Sequence, residues 1–154
     1  MRRVVVTGMG LLTSIGNDKQ TSWNNLINAK SGIKKINHFN VDDLPAKIAG
    51  YLNNNPDDED YFNKSSILEL RDIKRNDRFI QYGLVAASMA IEDAGLNNLS
   101  DEDRLKVGVS VGSGIGGLET IYEGSLTINK ESKKLSPFFI PSSLVNLLSG
   151  QISI

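Results

Sequence analysis

The residues whose types and spacing could do chemistry are, first, glycines. Residues 107–119 read Val-Gly-Val-Ser-Val-Gly-Ser-Gly-Ile-Gly-Gly-Leu-Glu, so that Gly112, Gly114 and Gly117 stand in the spacing G-x-G-x-x-G. Between a β-branched run and a helix, such glycines let backbone amides close on a pyrophosphate at the positive end of the helix. That chemistry makes two further demands. The glycines should follow the first strand of a βαβ unit, and a carboxylate about 20 residues on should take the ribose hydroxyl. Here the fingerprint follows the second apolar run, and its helix leads into Asn129-Lys130-Glu131-Ser132-Lys133-Lys134, where nothing β-like precedes Glu131. The spacing predicts a sharp turn into a helix with close backbone approach, and dinucleotide binding is not expected. Thr7-Gly8-Met9-Gly10 with Gly16 is a second glycine turn. It is similar to the opening of short-chain dehydrogenases, but the glycine spacing is wrong and their Tyr-x-x-x-Lys pair is missing.

Other chemistries narrow quickly. With no cysteine there is no disulfide framework, zinc thiolate or thiol nucleophile in these 154 residues. A lone histidine, His38, cannot build a metal cluster, and its turn-forming neighbours predict a surface or loop-packing role. Acidic residues concentrate in 53–60 and 100–103, as solvated loops and helix starts do. Seventeen basic against eighteen acidic residues give a net charge of −1, which points to neither nucleic acid nor a membrane surface. No apolar run reaches the roughly 20 residues of a membrane span. The N-terminus reads as a first strand and not a signal peptide, so a cytoplasmic setting is expected.

The elements that must position any site follow from periodicity. Residues 4–7 and 107–111 read as two buried core strands. Trp23, Leu26 and Ile27 recur at helical spacing, closed by Ser31-Gly32. Residues 33–60 form an irregular excursion with one short strand near 47–51. Asp77 opens a helix carrying Phe79, Ile80, Gly83, Leu84, Ala87, Ala90, Ile91 and Ala94, with Gly95 as its C′ residue. Lined with small residues on nearly all sides, that helix should lie buried against other backbones. A further helix spans 117–129, 130–134 is a basic turn, 136–141 is extended, and a last helix runs from 142 towards Gly150. The order of strands and helices argues an α/β fold. Two core strands are too few to complete a parallel sheet, so the domain reads as unfinished.

Several blocks, in order, carry a family resemblance. They are Arg2-Arg3-Val4-Val5-Val6-Thr7-Gly8-Met9-Gly10, Ser31-Gly32-Ile33, Asp77-Arg78-Phe79-Ile80-Gln81-Tyr82-Gly83, Gly112-Ser113-Gly114-Ile115-Gly116-Gly117 and Ser136-Pro137-Phe138-Phe139-Ile140-Pro141-Ser142. Together they resemble the N-terminal part of the β-ketoacyl-acyl carrier protein synthases, with the elongating type II enzymes nearest, over almost the whole chain. The resemblance implies a thiolase-like fold, here an incomplete N-terminal half: a mixed sheet with helices on both sides. It also implies a homodimer, and a decarboxylative Claisen condensation of an acyl thioester with malonyl-carrier protein, needing no metal or organic cofactor. In the family a cysteine at a helix N-terminus carries the acyl chain, and two histidines assist decarboxylation and stabilise the enolate. The cysteine lies on the next strand–helix turn past residue 154 and the histidines in the second half, so no catalytic residue is assigned here.

Position by position, the resemblance makes Gly114 and Ile115 the lining of the acyl pocket, with Ile115 at its closed end. Phe138 and Phe139 fall on the segment that reaches the dimer interface and borders the partner's acyl channel. Arg71, Lys74 and Arg75 fall on one helix face at i, i+3 and i+4, and with Lys133 and Lys134 they match a patch that attracts the acidic acyl carrier protein. Residues 1–154 are thus expected to be the N-terminal part of one synthase domain, inactive alone. The alternative is a non-catalytic dimerisation or carrier-protein-binding module.

Overall fold

Asp77 opens the longest helix. The structure, a computed structural model, describes residues 2–53, 56–57, 61–131 and 134–154. In it α3 runs Arg78–Asp93, with the Asp77 side chain accepting a hydrogen bond from the Phe79 amide. At the other end Gly95 takes φ +69° and its amide donates to the Glu92 carbonyl, as expected of a C′ glycine. The expected close approach is present. A Cβ on Gly10 would sit 1.9 Å from the Ala86 carbonyl oxygen, so the N-terminal segment lies directly on the alanine face of α3. The helix is less enclosed than predicted: Ile80, Gln81 and Val85 are buried, and most of its other residues are half-exposed.

The remaining helices are α1 (Lys19–Ile27), α2 (Leu70–Arg75), α4 (Asp101–Arg104), α5 (Leu118–Glu131), α6 (Phe139–Ser143) and α7 (Asn146–Ile152). β1 (Ile33–Lys35) and β2 (Ile48–Gly50) pair antiparallel with Lys34 opposite Ala49. The excursion after residue 33 therefore holds a two-stranded hairpin and not a single strand. Core packing centres on α3 and α7. Leu148 of α7 fills the space beside Gly83, Ile80 and Val85 are fully buried, and Phe62 meets the Tyr82 ring edge-on at 6.2 Å. Asn76 and Gln151 exchange amide hydrogen bonds, both 2.9 Å, which tie the α2–α3 junction to α7.

Three further expectations are corrected. Residues 4–7 and 107–111 join no sheet among the described residues, and Val4 and Val6 are 92% and 80% exposed. A strand exists through the partner that takes its N–H and C=O groups, and no described segment pairs with either run. Residues 136–141 are a turn followed by α6, not an extended segment. Pro141 occupies the first turn of α6, where its missing N–H is no loss. The single last helix is two, because Leu144 leaves helical geometry between α6 and α7. At the opposite margin α5 continues into the expected basic turn as far as Glu131.

The N-terminal segment is anchored by Asp93, whose carboxylate accepts from the Met9 amide at 2.9 Å and from Lys19 Nζ at 2.6 Å. The Lys19 hydrogen bond, then the Met9 amide, hold the Asp93 carboxyl below its ordinary value of 3.8. A carboxyl depressed on folding contributes stability that is present above its unfolded value and is lost as pH falls through the folded one. Thermal melts of the chain and of Asp93→Asn should therefore differ at neutral pH and converge in the acid range; an equal gap at all pH would refute the anchor. Asp77 caps a second helix as well, its Oδ2 accepting from the Thr120 amide at the start of α5 at 2.8 Å. Asp77→Ala should cost about 2 kcal/mol in urea denaturation, and a loss near zero would show that the caps are not coupled to folding.

Candidate functional site

The glycine turn is built from both sides. Gly116 takes φ +84° and its amide donates to Ser113 Oγ at 3.1 Å, which closes the loop before α5. A Cβ on Gly117 would lie 2.6 Å from Ser143 Cα and 2.9 Å from the Ser142 carbonyl oxygen, so only glycine lets α5 begin against α6. The amides that a phosphate would need are already taken. The Gly117 amide donates to the Ser143 carbonyl at 3.0 Å, and the Thr120 amide donates to Asp77 Oδ2 at 2.8 Å. The start of α5 is thus occupied by a carboxylate of the chain itself.

Gly114 and Ile115, the expected acyl-pocket residues, sit on the outer limb of this turn. Ile115 is 65% exposed, a Cβ on Gly114 would meet open space, and neither residue lines the cleft between α3, α5 and the segment leading to α6. Among the described residues they are not brought into a pocket. The two phenylalanines part company. The Phe139 ring packs over Gly124 of α5, where a Cβ would come within 2.4 Å of it. The Phe138 ring instead lies under the guanidinium of Arg75, with Cζ 4.6 Å from the ring centroid.

Arg71, Lys74 and Arg75 form one exposed basic surface on α2, as their spacing predicts. They are not equivalent. Arg71 reaches Glu69 at 3.3 Å and Asp72 at 3.6 Å, whereas Arg75 has no carboxylate partner among the described residues. Lys134 is exposed and borders a cleft of about 500 Å³ between α3, α5 and the segment leading to α6. Lys133 lies outside the described residues. The same cleft holds cations that sequence reasoning missed. Arg78 pairs with Glu119 at 2.5 Å, and Lys64 is pushed below its ordinary value by burial and by the Arg78 charge, against the pull of Glu119. Lys64 sits in a polar stretch with no periodic signal, so only the fold could place it beside Arg78.

His38 behaves as expected, exposed and packed edge-on against Phe39 at 4.9 Å and tilted against Tyr51 at 4.7 Å. Among the described residues no group of three His, Cys, Asp or Glu side chains could hold a metal, and no helix is long and apolar enough to cross a membrane.

Comparison with known proteins extends these observations to the whole chain. Residues 1–154 match the family described as beta-ketoacyl synthase, N-terminal domain. Among curated relatives, the 3-oxoacyl-[acyl-carrier-protein] synthase 2 of Rhizobium meliloti (strain 1021) is 43% identical over all of the chain and 37% of its own length. The protein of that name from Vibrio cholerae is 44% identical over 99% of the chain and 35% of its own length. The chain thus spans little more than a third of these relatives. In fold it resembles the ishigamide ketosynthase/chain length factor, with TM-score 0.77 and 24% identity over 99% of this chain and 36% of that one. It likewise resembles a β-ketoacyl synthase from Burkholderia phymatum, with TM-score 0.72 and 21% identity over the same shares. A type II polyketide ketosynthase solved with its acyl-carrier protein is also similar, at TM-score 0.67 and 22% identity over 97% of this chain and 37% of that one. The fold is therefore the thiolase-like fold of ketosynthases in part, and the chain belongs to the β-ketoacyl synthase family, whose N-terminal domain it matches from residue 1 to residue 154.

Proposed function

We propose that this chain is the N-terminal portion of an elongating β-ketoacyl-acyl carrier protein synthase and supplies that enzyme's carrier-docking face and one wall of its acyl pocket. The observation that carries the reading is the match over the whole chain to 3-oxoacyl-[acyl-carrier-protein] synthases 2 at up to 44% identity. The complete enzyme loads an acyl chain on a cysteine thiolate as a thioester. It then decarboxylates malonyl-carrier protein and joins the resulting enolate to the acyl carbonyl, with the cysteine thiolate leaving. With no cysteine and a single, exposed histidine, these 154 residues hold neither nucleophile nor histidine pair, and alone they do not condense.

Their part is recruitment and shape. Arg71, Lys74, Arg75, Lys133 and Lys134 steer the acidic carrier protein, a long-range effect that a local patch exerts even when net charge is near zero. Gly114 and Ile115 form the wall and closed end of the acyl pocket, and Phe138 and Phe139 border the partner's channel in a cytoplasmic homodimer. The exposure of Ile115 supports this assignment, since the pocket needs residues from beyond this third of the enzyme to close it. The exposed runs at residues 4–7 and 107–111 are surfaces that the same remainder would cover. No cofactor enters this chemistry.

One observation favours a second reading. The basic face is formed within the 154 residues while the acyl pocket is not, which suits a non-catalytic carrier-binding or dimerisation module derived from the family. Two measurements test the inactivity and the docking role that both readings share. The purified chain, given acyl- and malonyl-carrier protein, should show no condensation, and turnover would overturn the assignment of inactivity. It should bind apo acyl carrier protein with an affinity that falls as salt rises, and Arg71→Glu with Lys74→Glu and Arg75→Glu should abolish binding. Binding that ignores both salt and charge reversal would remove the docking role.

A further inference from the structure

We propose that Phe138 is a positioning residue for carrier-protein docking: its ring holds the Arg75 guanidinium in place, leaving the in-plane N–H groups free for a carboxylate of the acidic partner. This rests on the docking reading above and gives Phe138 a role beyond bordering the partner's acyl channel. Arg75 Cζ stands 4.6 Å from the Phe138 centroid, inside the range in which a cation is held by a ring face. A guanidinium on a ring still presents its fork of donors outward. Arg75 is the arginine of the α2 surface with no acid partner among the described residues, whereas Arg71 is flanked by Glu69 and Asp72.

The platform beneath Arg75 is itself fixed. The Phe138 amide donates to Ser136 Oγ at 3.1 Å, and the Phe139 amide donates to the Ser136 carbonyl at 3.0 Å. The Phe138 carbonyl accepts from Ser142 at 2.8 Å in the first turn of α6. Pro137 in this turn and Pro141 in α6 stiffen the segment further. A long cationic side chain ordered before its partner arrives loses less entropy on binding than a free one. Lys74, a point charge on a flexible stem, has no ring contact of this kind among the described residues. The basic face therefore combines a steering charge with one pre-oriented donor.

The test is a fluorescence titration of apo acyl carrier protein with the 154-residue chain. Phe138→Leu should weaken binding roughly two- to five-fold, the range of an exposed cation–ring contact, and Phe138→Tyr should retain it. Arg75→Lys should weaken binding to a similar degree, and Phe138→Leu should add nothing in that background. In the free chain the Arg75 side-chain protons should show an upfield ring-current shift that Phe138→Leu removes. An absent shift overturns the proposal, and so does a Phe138→Leu loss that persists at full size in the Arg75→Lys background. If Phe138→Leu fails to fold, the Arg75 shift and the Arg75→Lys titration decide alone. No binding by the unsubstituted chain overturns the docking reading and this inference together. Binding that charge reversal abolishes and Phe138→Leu leaves unchanged overturns this inference only.

Discussion

One carboxylate joins the parts of this chain that matter most. Asp77 Oδ1 takes the Phe79 amide at the start of α3 and Oδ2 takes the Thr120 amide at the start of α5. Both helix dipoles therefore point their positive ends at the same negative charge. With Asp77 buried at the junction, neither amide has water as an easy substitute, so the angle and spacing of α3 and α5 follow from one side chain. The consequences run outward. Where α5 begins fixes Gly117 against Ser143, and that contact places α6. The turn that leads into α6 then carries Phe138 beneath Arg75. A basic surface on α2 and a turn distant in sequence thus share a frame that starts at Asp77.

The same bond sets this turn apart from a phosphate-binding one of the same spacing. A fingerprint works when several free amides at a helix start converge on open space. Here Asp77 and the Ser143 carbonyl already hold two of those amides, and the first turn of α5 adds the negative charge of Glu119. Gly117 meets a different need, backbone clearance, since main chain of α6 lies within 3 Å of where its Cβ would stand, whereas a Cβ on Gly112 or Gly114 would meet open space. Two physical needs, anion binding and close packing, can yield the same sequence pattern. The partner of each amide tells them apart.

What the sequence made legible was what neighbouring residues decide. α3 begins at Asp77 and ends before Gly95 because capping and left-handed closure act within a few residues, and the α2 basic face follows from i, i+3, i+4 geometry. The apolar runs at 4–7 and 107–111 carry the composition of core strands, yet pairing depends on a second segment that composition does not name. Pro137 and Pro141 argued for extended chain at 136–141, but Pro141 fits a first helical turn equally well, and local pattern could not choose. The second bond of Asp77 and the meeting of Arg75 with Phe138 had no signal, because each joins residues far apart in sequence. Gly114 and Ile115 were placed by family resemblance, and their surroundings remain open in these 154 residues.

That division between near and distant contacts also sorts the functional parts. The basic face needs one short helix, one turn and the Asp77 junction, all inside the described residues. An acyl pocket needs walls from several elements, and a parallel sheet needs strands that shield each other's edges. The chain spans little more than a third of its curated relatives, and among its many exposed large apolar residues are Val4, Val6 and Val107 on the unpaired runs and Ile115 on the glycine turn. A surface of charged side chains is stable in water with no cover, while a pocket lining of glycine and isoleucine is not a pocket until something faces it. In the proposed function, recruitment is therefore the part that this stretch of chain completes from its own residues, and the acyl site is the part for which it supplies only one side.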